Sequence, residues 1–526
     1  MIRQFTQKFS VFETVFFMPH LDFHSQSIEC RHDGPFKHAL RVLAAPGVVL
    51  GTSFASSLQF VLLTPFLVTL GVSRTVASVI WLVGPLTGLV VQPLVGVLSD
   101  EYHKRHATRL PIVLISSSVL ILSHIAVAFT KTIAEHLSLS PVFVLVISFW
   151  MFDAASNAIT VTCRAMLSDR FAKNQRTRAF SVQQFWMSFG SIMGYLTAQI
   201  DWADDSNNPE SLASSMFYCF VISSIVVSVG TLMSFVSVYE KRACRMRNHG
   251  PHTGESFELT TMCDNPTLVS ILAGSALTWF GWFAQQIYQS DFISSELQAP
   301  GDDESLSGVQ ASAFGLLISS GLSCLFGLII PLLLSYTGNE GYTLFRIWSV
   351  SCFLQGIVLI GSCLVTTIPG GIMWEAATGP MFAVACTIPY MLVANGCDHG
   401  SSGRVMAVVN VAVCFPQLIV SGLGGLVIES TRTNTAMFTA GGILCIIATR
   451  ILWVPAGFEV PPWSEKSTAS ILASTSDIFS YQEFENVSSR RGASLVPEFR
   501  VRGLSSPRLR EPLLLPLLPN TVDSQE

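Results

Sequence analysis

Runs of about twenty apolar residues, separated by short polar breaks, recur along this 526-residue chain near 43–63, 78–98, 111–130, 142–163, 179–199 and 215–238. Six more follow near 267–290, 308–335, 344–366, 371–395, 404–428 and 436–455, after a polar stretch at 239–266. About 20 residues of α-helix cross a bilayer core, and a segment in lipid must satisfy its backbone polar groups internally, so each run reads as one membrane helix. Only 12% of the residues are Asp, Glu, Lys or Arg, and 50% are apolar. Soluble domains carry roughly 25% charged residues, so the surplus apolar surface faces lipid. A soluble enzyme, a nucleic-acid binder and a disordered scaffold are thereby excluded. The expected fold is an all-α integral membrane protein with twelve transmembrane helices in two six-helix bundles.

Basic residues near short loops resist translocation, so their placement orients the helices. Counted against alternate loops, 27 of the 30 Lys and Arg fall on one side, leaving Arg74, Lys131 and Arg432 on the other. Both termini are therefore expected in the cytoplasm. The expected organisation is an N-terminal arm (1–40), a first bundle (41–238), a cytoplasmic linker (239–266), a second bundle (267–455) and a disordered tail (456–526). The 12 Cys lie in spans or on the cytoplasmic side, so neither a structural disulfide nor a zinc site is expected. The apolar stretch FSVFETVFF (9–17) contains Glu13, is too short to span, and has no small-residue cleavage site after it, so it is not read as a signal peptide. In the tail, RRGAS (490–494) resembles a basic-directed kinase site. EPLLLPLLP (511–519) is too Pro-broken for a helix and reads as a greasy end or a leucine-based sorting signal.

A charge at the bilayer centre costs roughly 2.5–3.5 kcal/mol on insertion scales, so each one inside a span needs a reason. Asp153 lies halfway along the fourth span, with Asn157 one turn and Arg164 three turns further on the same face. A polar stripe thus runs from mid-bilayer to the cytoplasmic mouth. Asp153 can take and release a proton and accept hydrogen bonds from ligand hydroxyls; the alternative is an Asp that pins its helix to a neighbouring hydroxyl. Arg164 either snorkels to water or serves as Asp153's cationic partner or an inner-gate residue. Gln59, Gln92, Gln183, Gln184, Gln285, Gln286, Asn410 and Gln417 are amides inside apolar runs. Each can meet sugar hydroxyls or bond helix to helix, and Asn410 and Gln417, seven apart, share a face. His124 reads as a bonded core histidine, and Glu375 as solvated near its span end. Among the tryptophans, Trp279 and Trp282 are candidates for stacking on a sugar face, with interfacial anchoring as the alternative. Gly84, Gly190 and Gly194 suit close helix packing.

No GxxxxGK[ST], HExxH or GxSxG occurs, so no enzymatic constellation is expected and transport energy must come from an ion gradient. No cofactor is implied beyond a coupling proton. The lipid bilayer is an expected partner and nucleic acid is not; a small-molecule sugar as substrate is what the resemblance below implies, and the sequence is silent on oligomeric state.

LQFVLLTPFLVTLGVSRTVASVIWLVGPLTGLVVQPLVGVLSD (58–100), FWMFDAASNAITVTCRAMLSD (149–169), NQRTRAFSVQQFW (174–186), LTWFGWFAQQIYQSDF (277–292), IPYMLVA (388–394) and VVNVAVCFPQLIVS (408–421) resemble plant sucrose transporters and their animal and bacterial relatives. These form the glycoside–pentoside–hexuronide:cation symporter branch of the major facilitator superfamily. The resemblance covers most of residues 41–455 and implies a proton-coupled carrier of sucrose or a similar glucoside. It places the family's essential acid on Asp153, with Asn157 and Arg164 beside it, an outer acid on Asp291, and the amides of the eleventh span on Asn410 and Gln417. Gln59, Trp279 and Trp282 complete the expected sugar contacts, and gating is expected at Asp100, Arg105, Arg109 and Asp169. The family's Gly-Arg-Arg cluster is replaced here by KRHATRLP (104–111). Ser73-Arg74 stand where plant carriers usually place a sucrose-handling His, which argues against assuming sucrose specificity. Alternatives are a carrier of another sugar or polyol, an organelle-membrane exporter, and a non-transporting sugar receptor. The expected location is the plasma membrane, with the vacuole or another endomembrane as the alternative.

Overall fold

A computed structural model describes residues 35–73, 80–200, 202, 209–239, 265–297, 305–336, 340–396 and 401–454. The chain divides into two compact units, 1–465 and 466–526, and all the described residues belong to the first. The stretch at 9–17, most of the linker, RRGAS and EPLLLPLLP lie outside them.

Among the described residues the structure is helical. α1 (Pro35–Ala44) leads into α2 (Val48–Thr69), followed by α3 (Val83–His106), α4 (Leu110–Ala128), the short α5 (Thr130–Leu137), α6 (Pro141–Arg170), α7 (Lys173–Ala198) and α8 (Pro209–Tyr239). The second half has α9 (Pro266–Asp291), α10 (Ser305–Ser335), α11 (Glu340–Ile360), α12 (Ile368–Ala377), α13 (Gly379–Gly396), α14 (Ser402–Thr431) and α15 (Thr435–Ile451). The starts are set locally. Pro141 and Pro266 open α6 and α9, where a missing N–H costs nothing. The Asn265 side chain accepts from the N–H groups of Thr267 and Leu268 at 3.0 and 3.2 Å, capping α9.

α5 aside, with α1–α2 and α12–α13 each counted as one crossing, these helices account for the twelve expected spans. Ten are long and apolar enough to cross a membrane by length and composition. The other two differ for visible reasons. α15 has 17 residues, and α7 begins with the polar turns KNQRTR and buries Arg176, Gln183, Gln184 and Ser188 against protein rather than lipid.

Two bundles result. In the first, α2 packs on α7 and α8, and α6 on α3 and α4; in the second, α15 packs on α9 and α11, and α10 on α12 and α13. They meet along α3 with α14 and α7 with α10. Small residues permit the closest approaches. A Cβ at Gly194 would lie 2.5 Å from the Phe54 carbonyl oxygen, so α7 and α2 touch backbone to backbone, and one at Gly403 would lie 2.5 Å from the Gly96 oxygen across the bundle interface. His124 is fully buried between the rings of Phe152 and Phe220, at 5.3 and 5.6 Å, but neither ring nitrogen has a hydrogen-bond partner, so it is a core histidine without the expected bond.

Candidate functional site

Between the bundles lies a cavity of about 200 Å³. α2 lines it with Thr52, Ser53, Ser56, Ser57 and Phe60, α6 with Ser156 and Thr160, and α7 with Met187, Ser191 and Tyr195. The second bundle faces it with Trp282, Gln285, Gln286 and Gln289 of α9, Ser319 and Ser320 of α10, and Glu375, Thr378 and Phe382 along α12–α13. Three of these hydroxyls bond back one turn within their helices, Ser56 Oγ donating to Thr52 O at 2.9 Å, Ser57 Oγ to Ser53 O at 3.0 Å and Thr160 Oγ1 to Ser156 O at 2.8 Å, whereas Ser156 Oγ is buried without a hydrogen-bond partner. Their lone pairs stay open to the cavity. Trp282 and Phe382 lie nearly parallel, 4.6 Å between ring centroids and 18° between planes, giving the cavity an aromatic face. Trp279 is buried behind them, edge-on to Trp282 at 5.1 Å.

The polar stripe of α6 splits into three places. Asp153 is half-buried on α6 facing α2 and α3: its carboxyl bonds the Gln59 amide, and a Cβ at Gly84 of α3 would stand 3.8 Å from Oδ2. It sits on the same face as Ser156 and Thr160, which line the cavity, but is not itself a lining residue. Asn157 ties the stripe to α3. Its Nδ2 donates to Asp153 O at 2.9 Å and Thr87 Oγ1 at 3.3 Å, and its Oδ1 accepts from Gln92 Nε2 at 2.6 Å. Buried Asn410 reaches the same spot from α14, where its amide donates to Cys414 Sγ at 3.1 Å.

Arg164 lies eleven residues beyond Asp153, about 16 Å along the helix, so the two do not pair. Its buried guanidinium lies flat over the Tyr390 ring of α13, 3.5 Å from the centroid, joining the bundles by a cation–π contact. Gln417 is half-buried on α14. Asp291 is far from this stripe: its carboxylate accepts from Asn434 Nδ2 at 2.8 Å, beside Glu296, where α14 gives way to α15.

At the opposite end of α14 the bundles are clamped together. Arg109 Nε donates to Asp169 Oδ2 at 2.7 Å, Nη2 to Asp100 Oδ1 at 2.7 Å and Nη1 to Ser99 Oγ at 2.6 Å, and all three charged side chains are buried. Asp100 also accepts the N–H groups of Gly403 and Arg404 at 2.8 and 2.9 Å, and Asp169 the Ser402 hydroxyl at 2.7 Å. An acid of the first bundle therefore sits on the N-terminus of a helix of the second, where the helix dipole favours negative charge. Burial opposes the Arg109 charge, but Asp169 and Asp100 outweigh it and raise its already high pKa.

Around the site, the expectations for Arg105 and Glu375 need correcting. Arg105 is not in the clamp: it lies on the surface and pairs with Glu101, one turn back, at 2.8 Å. After it the chain turns through Ala107 in the left-handed region (φ 51°), and that turn sends Arg109 inward instead. An exposed pair of this kind is worth about 0–1 kcal/mol, so Arg105→Ala should leave uptake kinetics unchanged; a large loss would return Arg105 to the gate. Glu375 is not solvated but fully buried in the cavity wall. The crossing it belongs to begins at Ile368, and α10 covers it where residue 315 is Gly. Ser99, Ser402 and the α14 N–H groups were missed, although Ser-Ser-Gly before an apolar run is a helix-start signal.

A family model described as Major Facilitator Superfamily matches residues 47–421, and the chain belongs to that superfamily of membrane carriers. Among similar proteins, a sucrose transport protein of Arabidopsis thaliana is 28% identical over 460 residues, covering 77% of this chain and 89% of its own. One of Oryza sativa subsp. indica is 28% identical over 432 residues, covering 72% and 85%. Of solved structures, the proton:xylose symporter XylE bound to 6-bromo-6-deoxy-D-glucose superposes with a TM-score of 0.58 at 14% identity, covering 80% of this chain and 96% of that one. A bacterial homologue of the iron transporter ferroportin in its outward-facing state gives 0.59 at 12% identity, covering 78% and 98%. These two likenesses concern the fold.

Proposed function

We propose that this chain is a proton-coupled carrier of sucrose or a related glucoside, working by alternating access. The observation that carries the reading is the cavity between the bundles: back-bonded hydroxyls and glutamine amides surround an aromatic face, the set of groups that a polyhydroxylated ring with apolar C–H faces requires. The sucrose transport proteins it resembles over most of its length point to the same ligand class. At about 200 Å³ the space is tighter than the ~300–1,000 Å³ usual for small-molecule sites, so a disaccharide enters only as the bundles part. The buried clamp closes one end against that motion. The distribution of basic residues puts the clamp end and both termini in the cytoplasm, and the plasma membrane is the proposed location.

In this reading Asp153 exchanges the proton and Gln59 reports its state to α2. Asn157 and Asn410 join the stripe to the opposite bundle, and Arg164 on Tyr390 couples α6 to α13 as the bundles rock. Trp282 supplies the sugar platform with Trp279 as its support, Gln417 lies within reach of a ligand leaving along α14, and Asp291 holds the outer end. Asp100, Arg109 and Asp169 form the inner gate. Each proton drawn inward at 100 mV supplies about 2.3 kcal/mol.

Purified protein in proteoliposomes, given labelled sucrose and a panel of other sugars and polyols under an imposed pH gradient, tests the reading. Uphill accumulation that collapses with a protonophore is expected; stoichiometric binding without accumulation would make the protein a receptor instead. Trp282→Ala should raise the sugar KM about three- to ten-fold, as loss of an aromatic contact worth ~0.5–1.5 kcal/mol requires. Trp282→Phe should recover most of that. A wild-type KM in the Ala variant would remove Trp282 from the sugar's path.

A further inference from the structure

Glu375 is a fully buried acid for which the mechanism above has no task. It closes α12 just before the helix axis breaks at Thr378, and its side chain enters the cavity wall. The space it fills exists because residue 315 of α10 is Gly; any Cβ there would collide with the carboxyl.

The groups around it come from three further elements. α10 brings the Ser312 hydroxyl beside the carboxyl, and α7, from the other bundle, brings the Tyr195 phenol within electrostatic reach. From α9, Gln285 donates its Nε2 to Thr378 Oγ1 at 3.2 Å, and Thr378 in turn donates to the Glu375 carbonyl at 2.7 Å. That chain holds Gln285 and Thr378 still but leaves the Glu375 side chain unserved: neither of its oxygens, nor Gln285 Oε1, completes a hydrogen bond. Among the described residues no Lys, Arg or His faces it. A buried carboxyl with no more than one hydroxyl beside it is strongly disfavoured. Here Glu375 and Gln285 both belong to the wall of the cavity that holds a sugar-shaped set of groups.

We infer that Glu375, with Gln285 on the same cavity wall, is the hydroxyl-recognising subsite of the second bundle, binding a pair of neighbouring ring hydroxyls on the carried ligand. The ligand donates O–H to both carboxyl oxygens, so the penalty of the empty site becomes selectivity for polyols whose hydroxyls are correctly spaced. The inference rests on the sugar reading. It differs from the role of Asp153 because it concerns which ligand is held, not what drives it.

The test uses the full-length carrier in proteoliposomes, with sucrose and a series of its monodeoxy analogues as probes. Glu375→Leu should raise the sucrose KM on the order of 10- to 100-fold, the loss expected for hydrogen bonds to a carboxylate, and leave the maximal rate and the accumulation ratio close to wild type. Glu375→Gln, which keeps one acceptor, should fall between. The one or two analogues lacking the recognised hydroxyls should bind weakly to wild type, yet as well as sucrose to the Leu variant. Equal KM values in wild type and both variants would overturn the inference. So would a uniform KM rise for every analogue, which marks lost packing, or a lost accumulation ratio, which marks a coupling group. If Glu375→Leu does not fold, Glu375→Gln and direct calorimetric binding of the analogue series decide by the same pattern. Wild-type protein that binds no sugar of the panel fails the sugar reading itself.

Discussion

Asp153→Asn should abolish uphill sugar accumulation while sugar exchange across the membrane continues. The substitution is nearly isosteric, Asn keeps an oxygen for the bond to Gln59, and the half-buried site beside Gly84 has room for an amide. Folding and delivery to the membrane should therefore persist. Only the capacity to gain and lose a proton goes, and the driving force goes with it: at 100 mV one proton is worth about 2.3 kcal/mol, or roughly a 50-fold concentration ratio. The sign of the pH effect follows. Wild-type uptake rises as the supplying side is acidified, because that side loads the carboxylate, whereas the Asn variant should be flat across the same range. Counterflow of labelled sucrose in vesicles without a gradient measures the retained half of the cycle. Normal accumulation by the variant would sink the assignment of Asp153 as the coupling group; loss of counterflow as well would move it from coupling to binding or structure.

The helices were legible because each crossing is apolar around its whole circumference, which a run of residues displays without any partner. α7 shows the limit of that signal. Its buried amides and Arg176 lower its apolarity, yet an apolar remnant at 179–199 was enough to find it. Asp153 was legible for the opposite reason, as a lone acid in the middle of its run. Glu375 was not, because its distance from a span end suggested water. What buries it is the absent side chain of Gly315, sixty residues earlier on another helix. Arg105 and Arg109 look equivalent in one basic loop, and only the left-handed turn at Ala107 separates a surface residue from the centre of the clamp. The hydroxyls of α2 at 52, 53, 56 and 57 repeat every four residues and could have marked a polar face toward the cavity, but single hydroxyls satisfy themselves within a helix and attract no notice.

That clamp carries the second large effect. Arg109→Ala removes the cation that bridges two buried carboxylates, leaving Asp100 the more distant Arg404 at 3.9 Å and Asp169 the His103 ring at 3.6 Å, and breaking a buried ion pair from one side costs about 3–5 kcal/mol. Much of that loss falls on one conformation only. Asp100 meets the first turn of α14 and Asp169 meets Ser402 only while the two bundles touch at this end, so parting them lets both acids reach water and relieves the strain. A bias of ~3 kcal/mol moves a two-state equilibrium by about two orders of magnitude, and the variant should rest open on the clamp side. Cys386 and Cys414, buried close to Arg164 between the bundles, supply the readout: a membrane-impermeant maleimide added from the clamp side should label them on the order of 100-fold faster in the variant, while net uptake falls steeply. General unfolding would also expose these thiols, so a neutral clamp separates the two cases. Arg109→Met combined with Asp100→Asn and Asp169→Asn leaves no buried carboxylate stranded, while Arg404, 22% exposed, keeps access to water; the triple variant should regain thermal stability. It cannot regain the charged hold on the α14 N-terminus, so labelling should stay fast. Wild-type labelling rates in Arg109→Ala, or slow labelling restored in the neutral triple variant, would show that the cluster holds the first bundle together and does not govern access to the cavity.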